Sequence, residues 1–198
     1  KAWVEVARLQ LALNQGHLAR ASAEKAEAID RDSVEAVGLL AWLDLQGTNR
    51  EAALERVLAL VNRKPGDARA AALEGDVRMA LGQPREAARA FERAMILSPD
   101  LQNAARQSTA MREAGMANAE APLARWVAGT PEDPKARVLL AEAYQLAGRR
   151  DKAIEQYERL AAHRSAGFAV LNNLAWLYYE GGDDRAEAMA RRAYDLAS

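Results

Sequence analysis

The sequence has no cysteine, few aromatic residues and no excess of either charge. Without cysteine the chain has no disulfides, no thiolate metal ligands and no cysteine nucleophile, and it suits reducing and oxidising compartments equally. Aromatic residues make up only 6% of the chain, and alanine dominates the apolar residues instead. Because alanine is the strongest helix former, the composition favours packed helices over sheets.

The charge balance and hydropathy of the chain predict neither nucleic acid binding nor a membrane-spanning helix. The chain has 27 basic and 28 acidic residues, for a net charge of −1. Nucleic acid binding needs a basic surface that displaces counterions, so no nucleic acid partner is predicted. No apolar run approaches the roughly 18 residues of a membrane span, so no membrane-spanning helix is predicted in this segment. The chain starts at Lys1 inside a helical pattern without an initiator methionine, and we expect a segment of a longer protein.

An internal repeat organises the chain. A glycine recurs at intervals of 31 to 35 residues, and an alanine follows it, usually five residues later. Such a repeat predicts helical hairpins, in which the first helix ends at a left-handed glycine and the alanine permits a close helix crossing. The glycines are Gly16, Gly47, Gly82, Gly115, Gly148 and Gly182, and the alanines are Ala21, Ala52, Ala87, Ala121, Ala153 and Ala186.

Helix boundaries follow from these turns and from capping residues. Thr48 with Glu51 is typical of a capping box, and Asp67 and Asp133 are typical N-caps. The fourth repeat is irregular because Pro122 requires its second helix to start near Ala119 or to kink. The predicted helix pairs are 2–15 with 17–30, 33–46 with 49–62, 67–81 with 84–97, 100–114 with 118–129, 134–147 with 150–163, and 168–180 with 184–197.

The spacing of small and aromatic residues resembles the tetratricopeptide repeat (TPR) family over nearly the whole chain. The third repeat carries the clearest pattern, at Gly75, Gly82, Ala87, Phe91, Ala94 and Pro99. The fifth has Leu140, Ala141, Tyr144, Gly148, Ala153 and Tyr157, and the sixth has Leu174, Ala175, Tyr178, Gly182, Ala186, Ala190 and Ala193. The resemblance implies an all-α fold, a right-handed superhelical solenoid of about six antiparallel hairpins. It also implies a single array over 1–198, with repeats at about 2–32, 33–66, 67–99, 100–133, 134–165 and 166–198.

No catalytic constellation is visible in the sequence. The only histidines, His17 and His163, fall at helix edges in different repeats, and we interpret both as solvated. The run 181–184 offers two glycines and two aspartates, which indicate a turn with helix-capping carboxylates. We therefore expect no enzyme activity, no cofactor and no metal site.

The TPR resemblance implies a partner-binding surface on the concave side, formed by the first helices of the hairpins. Asn172, Trp176 and Tyr179 fall on one helical stripe and are the strongest candidates, since exposed aromatic residues often anchor interfaces. The alternative is that Trp176 packs against a following repeat, and Trp42 is also interpreted as a packing residue. The other candidates are Arg69, Asp76, Met79, Gln102, Thr109, Arg112, Lys135, Glu142 and Gln145.

The identity of the partner stays open between several classes. A protein or peptide is expected, but the lysine–asparagine pair of the TPR subclass that clamps chaperone tails is missing. The stretch 171–179 and the alanines after it are similar in style to large bacterial TPR proteins and lipoproteins of exopolysaccharide export and exosortase-linked systems. That similarity implies a bacterial periplasmic or envelope role, and a cytoplasmic adaptor and a glycan-binding module are the alternatives. We also expect end-to-end self-association through exposed helix faces.

Overall fold

The computed structural model describes residues 1–162 and 166–197, and within them it contains twelve α-helices and no β-strand. The all-α fold class is confirmed, and most helix ends lie within two residues of the predicted ones. The helices are α1 Ala2–Ala12, α2 Gly16–Ile29, α3 Val34–Gln46, α4 Glu51–Arg63, α5 Ala68–Ala80, α6 Pro84–Leu97, α7 Leu101–Glu113, α8 Ala121–Gly129, α9 Pro134–Leu146, α10 Arg150–Ala161, α11 Phe168–Glu180 and α12 Arg185–Ala197. His163 lies outside the described residues.

Side-chain caps explain several of these helix starts. Asp67 accepts a hydrogen bond from the amide of Arg69, and Asp133 accepts from two amides behind Pro134, as predicted. Pro122 lies in the first turn of α8, where its missing N–H leaves no hydrogen bond unmade. The capping box at Thr48 is wrong, because α4 begins with Arg50 as its N-cap and has no side-chain cap.

The turns of the first two repeats differ from the prediction. Gly82, Gly115, Gly148 and Gly182 adopt the predicted left-handed conformation, with φ between 64° and 72°. Gly16 instead starts α2, and Gly47 has an extended backbone with φ of −91°. Asn14 takes the left-handed position of the first repeat, with φ of 60°, since asparagine tolerates this region better than most residues.

The corrected turn restores one regular period across the first three repeats. Asn14 precedes Gly82 by 68 residues, which is twice the 34-residue TPR period. One period after Asn14 is Thr48, and counting five residues on from Asn14, Thr48 and Gly82 gives Ala19, Ala53 and Ala87, all of them fully buried. Ala21 is exposed and Ala52 half-buried, so both were wrong as crossing residues.

The chain divides into two compact units, Lys1–Ala117 and Asn118–Ser198. Unit 1 contains hairpin 1 (α1–α2), hairpin 2 (α3–α4), hairpin 3 (α5–α6) and the helix α7. Unit 2 contains α8, hairpin 5 (α9–α10) and hairpin 6 (α11–α12). The boundary falls inside the predicted fourth repeat, and the single array over 1–198 stays a prediction.

In unit 1, α3 and α5 each contact both helices of the hairpin before them. The α5 residues Leu73, Val77 and Leu81 pack onto a cluster from hairpin 2 that includes Val37 and Val57. In unit 2, the helix α11 packs against α10. One hairpin alone cannot bury its apolar face, so this stacking forms the core.

Candidate partner-binding surfaces

The three strongest candidates come together on one cavity in unit 2. Trp176 and Tyr179 are 56% and 71% exposed, and their ring centroids lie 5.9 Å apart with planes tilted by 36°. With Asn172 they line a cavity of about 590 Å³ whose other wall is α12, at Ala186 and Ala190. The sequence predicted the stripe on α11, and the structure adds the wall of small residues opposite.

Carboxylates form one edge of this cavity, at Asp183, Asp184 and Glu187. Arg185 lies 2.7 Å from Asp183, and its hydrogen bonds lower the pKa of that carboxyl to about 2. Glu187 pairs with Arg191 at 3.4 Å. Within the described residues Asp184 has no ion pair, so it leaves a net negative charge beside the two aromatic rings.

Unit 1 has a polar cavity of about 440 Å³, lined mainly by α5 and α7. The predicted residues Arg69 and Asp76 line it with Gln102 and, from outside the prediction, Arg106. Asp76 lies 3.5 Å from Arg106, and burial raises the pKa of Asp76 although the guanidinium opposes this shift. Arg69 is engaged with Glu35 at 3.0 Å.

Buried Asn103 also lines the polar cavity, and sequence reasoning missed it. Its Oδ1 atom has no hydrogen-bond partner within the described part of the chain. A buried amide oxygen without a donor is uncommon in native proteins. No sequence signal identified Asn103, because its burial depends on how α7 packs against α6.

The remaining predicted residues occupy different environments. Gln145 is half-buried and accepts a hydrogen bond from the Tyr157 hydroxyl at 2.8 Å, while the Asn173 amide donates to that hydroxyl at 3.1 Å. Gln145 therefore belongs to the packing between hairpins 5 and 6. Glu142, Lys135 and Arg112 are exposed, and Met79 and Thr109 are half-buried.

Trp42 is a further exposed aromatic residue that the prediction assigned to packing. It occupies the position of α3 that Asp76 and Trp176 occupy in α5 and α11, counted from the following turn. Its side chain is 48% exposed. The repeat spacing makes Trp42 equivalent to Asp76 and Trp176, but the prediction placed the turn wrongly at Gly47 and so missed this equivalence.

In residues 1–162 and 166–197, no three histidine or acidic side chains lie where they could hold a metal ion together. Nor is any helix in these ranges long and apolar enough to cross a membrane. The expectations of no enzyme activity and no cofactor stay predictions.

Comparison with known proteins identifies the repeat. Residues 134–161, which form hairpin 5, match the family model described as "Tetratricopeptide repeat". No curated protein matches the sequence. The solved structure of PilF from Pseudomonas aeruginosa has a TM-score of 0.67 and 16% identity over 97% of this chain and 87% of that one.

Two further solved structures show the same fold. A putative kinesin light chain of Podospora anserina with TPR-like repeats has a TM-score of 0.66 and 20% identity, over 81% of this chain and 92% of that one. A thermophilic TPR protein of Thermus thermophilus has a TM-score of 0.58 and 22% identity, over 90% of this chain and 98% of that one. The chain therefore carries a tetratricopeptide repeat at residues 134–161 and has the all-helical fold of TPR proteins.

Proposed function

We propose that this chain is a non-enzymatic scaffold that binds a peptide or protein partner through exposed side chains of its first helices, on the concave side that TPR arrays present. The TPR fold is generally one of protein–protein interaction. The observation that carries the proposal is the exposed pair Trp176 and Tyr179 on one cavity with Asn172. Aromatic residues of this kind supply most of the binding energy in many interfaces.

The finer assignment is a bacterial envelope system for exopolysaccharide assembly. It is supported by the style of repeat 6, in which Leu171 to Tyr179 precede Ala186, Ala190 and Ala193. A cytoplasmic adaptor is the alternative. A lipoprotein signal encoded by the gene would decide for the envelope.

The test is a pull-down from envelope and soluble fractions of the source cell. The baits are the wild-type chain, the double variant Trp176→Ala/Tyr179→Ala, and the control Ile96→Ala, which removes another exposed apolar side chain, from α6. A protein retained by the wild type and the control, but lost by the folded double variant, would support binding at this surface. Equal retention by all three would contradict it, and the polar cavity of Asp76 and Arg106 would be tested next.

A glycan is the second candidate ligand, because exposed Trp and Tyr rings stack on sugar rings. Trp176 and Tyr179 form such a pair, but Asp76 and Glu142 hold the position of Trp176 in α5 and α9. The glycan hypothesis predicts that Trp176→Ala loses binding to polysaccharide from the source cell without loss of helicity. Unchanged polysaccharide affinity in this variant would eliminate it.

A further inference from the structure

We propose that the polar cavity of unit 1 receives a lysine or arginine side chain of the partner, with the Asp76 carboxylate and the Asn103 amide oxygen as its hydrogen-bond acceptors. This rests on the proposed function, because it specifies the chemistry of the peptide or protein partner. The cavity of about 440 Å³ is lined mainly by α5 and α7, and its lining residues all belong to unit 1. It is a different surface from the aromatic pair of α11.

Asn103 supplies an acceptor without a donor. The residue is only 8% exposed, and its Oδ1 atom has no hydrogen-bond partner among residues 1–162 and 166–197. A buried acceptor that stays unpaired destabilises the folded chain. Asparagine has a broad χ2 range, so a small rotation presents this oxygen to a donor inside the cavity. A ligand that donates a hydrogen bond here therefore satisfies the acceptor.

Asp76 supplies a carboxylate with spare acceptor sites. Its Oδ1 atom lies 3.5 Å from Nε of Arg106, and this long contact is its only ion pair within the described chain. A carboxylate has about four acceptor sites, so most of them remain for a ligand. The side chain is 45% exposed and can be reached, and its partial burial raises its pKa. A cationic donor would stabilise the ionised carboxylate through a charge-assisted hydrogen bond.

The pairing of the arginines favours a cationic ligand over an anionic one. Arg69, which also lines the cavity, pairs with Asp67 at 3.2 Å and with Glu35 at 3.0 Å. An anionic ligand would therefore depend on Arg106, beside the Asp76 carboxylate. A cation instead meets two acceptors, and Arg106 keeps donors for carbonyl oxygens of the partner's backbone.

Exposed Trp42 favours a peptide segment over a small free cation. It lies on α3, which contacts α5, at the repeat position that Asp76 occupies in α5, and it is 48% exposed. Packed helices lie about 8–10 Å apart, and an extended peptide rises about 3.3 Å per residue. An apolar residue about three positions from the basic one would thus reach Trp42.

The first test is selection from a phage-displayed library of random peptides, run in parallel on the wild-type chain and on Asp76→Asn. We expect the peptides that the wild type selects to share a lysine or arginine, and selection on Asp76→Asn to lose this preference. No selected peptides, the same basic consensus on both chains, or an acidic consensus would each overturn the proposal. An acidic consensus would assign recognition to Arg106 instead.

Fluorescence anisotropy of the strongest selected peptide then locates the contact. Asp76→Asn and Asn103→Leu should each weaken binding by about five- to tenfold. The control Glu92→Gln, which changes an exposed carboxylate of α6, should leave the affinity unchanged. Because Asn103→Leu removes an unpaired buried acceptor, its melting temperature should equal or exceed that of the wild type. A destabilised Asn103→Leu chain with unchanged affinity would assign Asn103 to packing and overturn the proposal.

A charge exchange separates direct contact from a change in shape. Asp76→Lys should bind the selected peptide less tightly than a version in which glutamate replaces the basic residue. Circular dichroism checks that this variant folds. If Asp76→Lys kept the original preference, the basic residue would bind elsewhere and the proposal would be wrong.

The pull-down separates failure of this proposal from failure of the proposed function. If its partner is lost in Trp176→Ala/Tyr179→Ala while no basic peptide is selected, the scaffold function stands and the basic-residue proposal falls. A basic consensus together with equal retention by all the pull-down baits would support the cavity and contradict the α11 surface.

Discussion

The two units build the same repeat position from different chemistry. Counted from the turn, one position of the first helix is Asp44 in hairpin 2 and Arg78 in hairpin 3, but Tyr144 and Tyr178 in hairpins 5 and 6. In unit 1, Asp44 is buried and lies 2.8 Å from Arg20 and 3.2 Å from Arg56. Hairpins 2 and 3 of unit 1 therefore have ion pairs at a position where hairpins 5 and 6 of unit 2 have aromatic rings.

The buried ion pairs of unit 1 are clearest in hairpin 3. Glu74 is only 4% exposed, and it pairs with Arg78 at 2.7 Å and with Arg93. The equivalent of Glu74 in hairpin 5 is the buried Leu140. Removing one member of a buried ion pair leaves an uncompensated charge, whereas removing an apolar residue leaves only a cavity. The fold therefore accommodates either a buried ion pair or a buried apolar residue at this position, but mutation destabilises the two arrangements in different ways.

The largest effect is expected from Glu74→Ala, which leaves the two arginines without their shared carboxylate. We expect a loss of about 3–5 kcal/mol in the free energy of unfolding. Urea unfolding measures the total, and hydrogen exchange should show the loss in peptides of unit 1. The control is Glu142→Ala, an exposed glutamate of α9. Equal exchange in both variants would mean that Glu74 does not stabilise hairpin 3.

A smaller effect is expected from Gly75→Ala, at a close helix contact. A Cβ atom at Gly75 would lie 2.5 Å from Cε1 of Phe91, and Phe91 is almost fully buried. Overpacking of about 1–3 kcal/mol should exceed the roughly 1 kcal/mol that alanine gains over glycine in a helix. Thermal unfolding checks this expectation.

Hairpin 5 provides the comparison for Gly75→Ala. There the equivalent residue is already alanine, Ala141, and it is fully buried. Ala141→Gly should destabilise by about 1 kcal/mol through helix propensity alone. If Gly75→Ala raised the melting temperature instead, the contact with Phe91 would have enough room for a methyl group.

Tyr178→Phe tests how the tyrosine at this position stabilises unit 2. The Tyr178 hydroxyl donates to Glu158 at 2.6 Å, and Arg185 lies over the ring at 4.2 Å from its centroid. Loss of this hydrogen bond should cost about 1 kcal/mol in chemical denaturation. Tyr179→Phe is the matched control, because Tyr179 is exposed. A loss as large in the control would locate the effect in the ring environment and not in the hydrogen bond.

The same residue should also give the chain an alkaline pH dependence. Burial, and then the hydrogen bond to Glu158, raise the pKa of Tyr178 from 10.0 to about 12. Since the folded chain favours the protonated phenol, its contribution is complete below pH 10 and is lost between about pH 10 and 12. The stability difference between wild type and Tyr178→Phe should shrink over this window. A difference that stays constant from about pH 9 to 12 would contradict the shift.

Much of the helical organisation could be predicted from local chemistry. Asp133 before Pro134 marks the start of α9, and Gly148 marks its end, because capping and left-handed turns are decided by neighbouring residues. The early turns could not be predicted as well. Gly16 was misassigned because Asn14 also tolerates the left-handed region, and only the packed register decides between them. Gly47 was misassigned because its backbone is extended at the end of α3.

The candidate site could be predicted only in part. The stripe of Asn172, Trp176 and Tyr179 follows from helical periodicity. Its opposite wall at Ala186 and Ala190 depends on how α12 packs against α11. Asn103 and Arg106 were missed for the same reason, since their polar cavity forms between α5 and α7 of different hairpins.

The sequence by itself determined the class of molecule, because a period near 34 residues of apolar helices and small crossing residues forms a stable core only as stacked hairpins. It also determined that Trp176 and Tyr179 share a face of α11. Tertiary structure alone decided that Glu74 is buried among arginines and that Ala190 lines the same cavity as the aromatic pair. Burial and cavities depend on which helix lies across another, and that contact joins residues far apart in the chain.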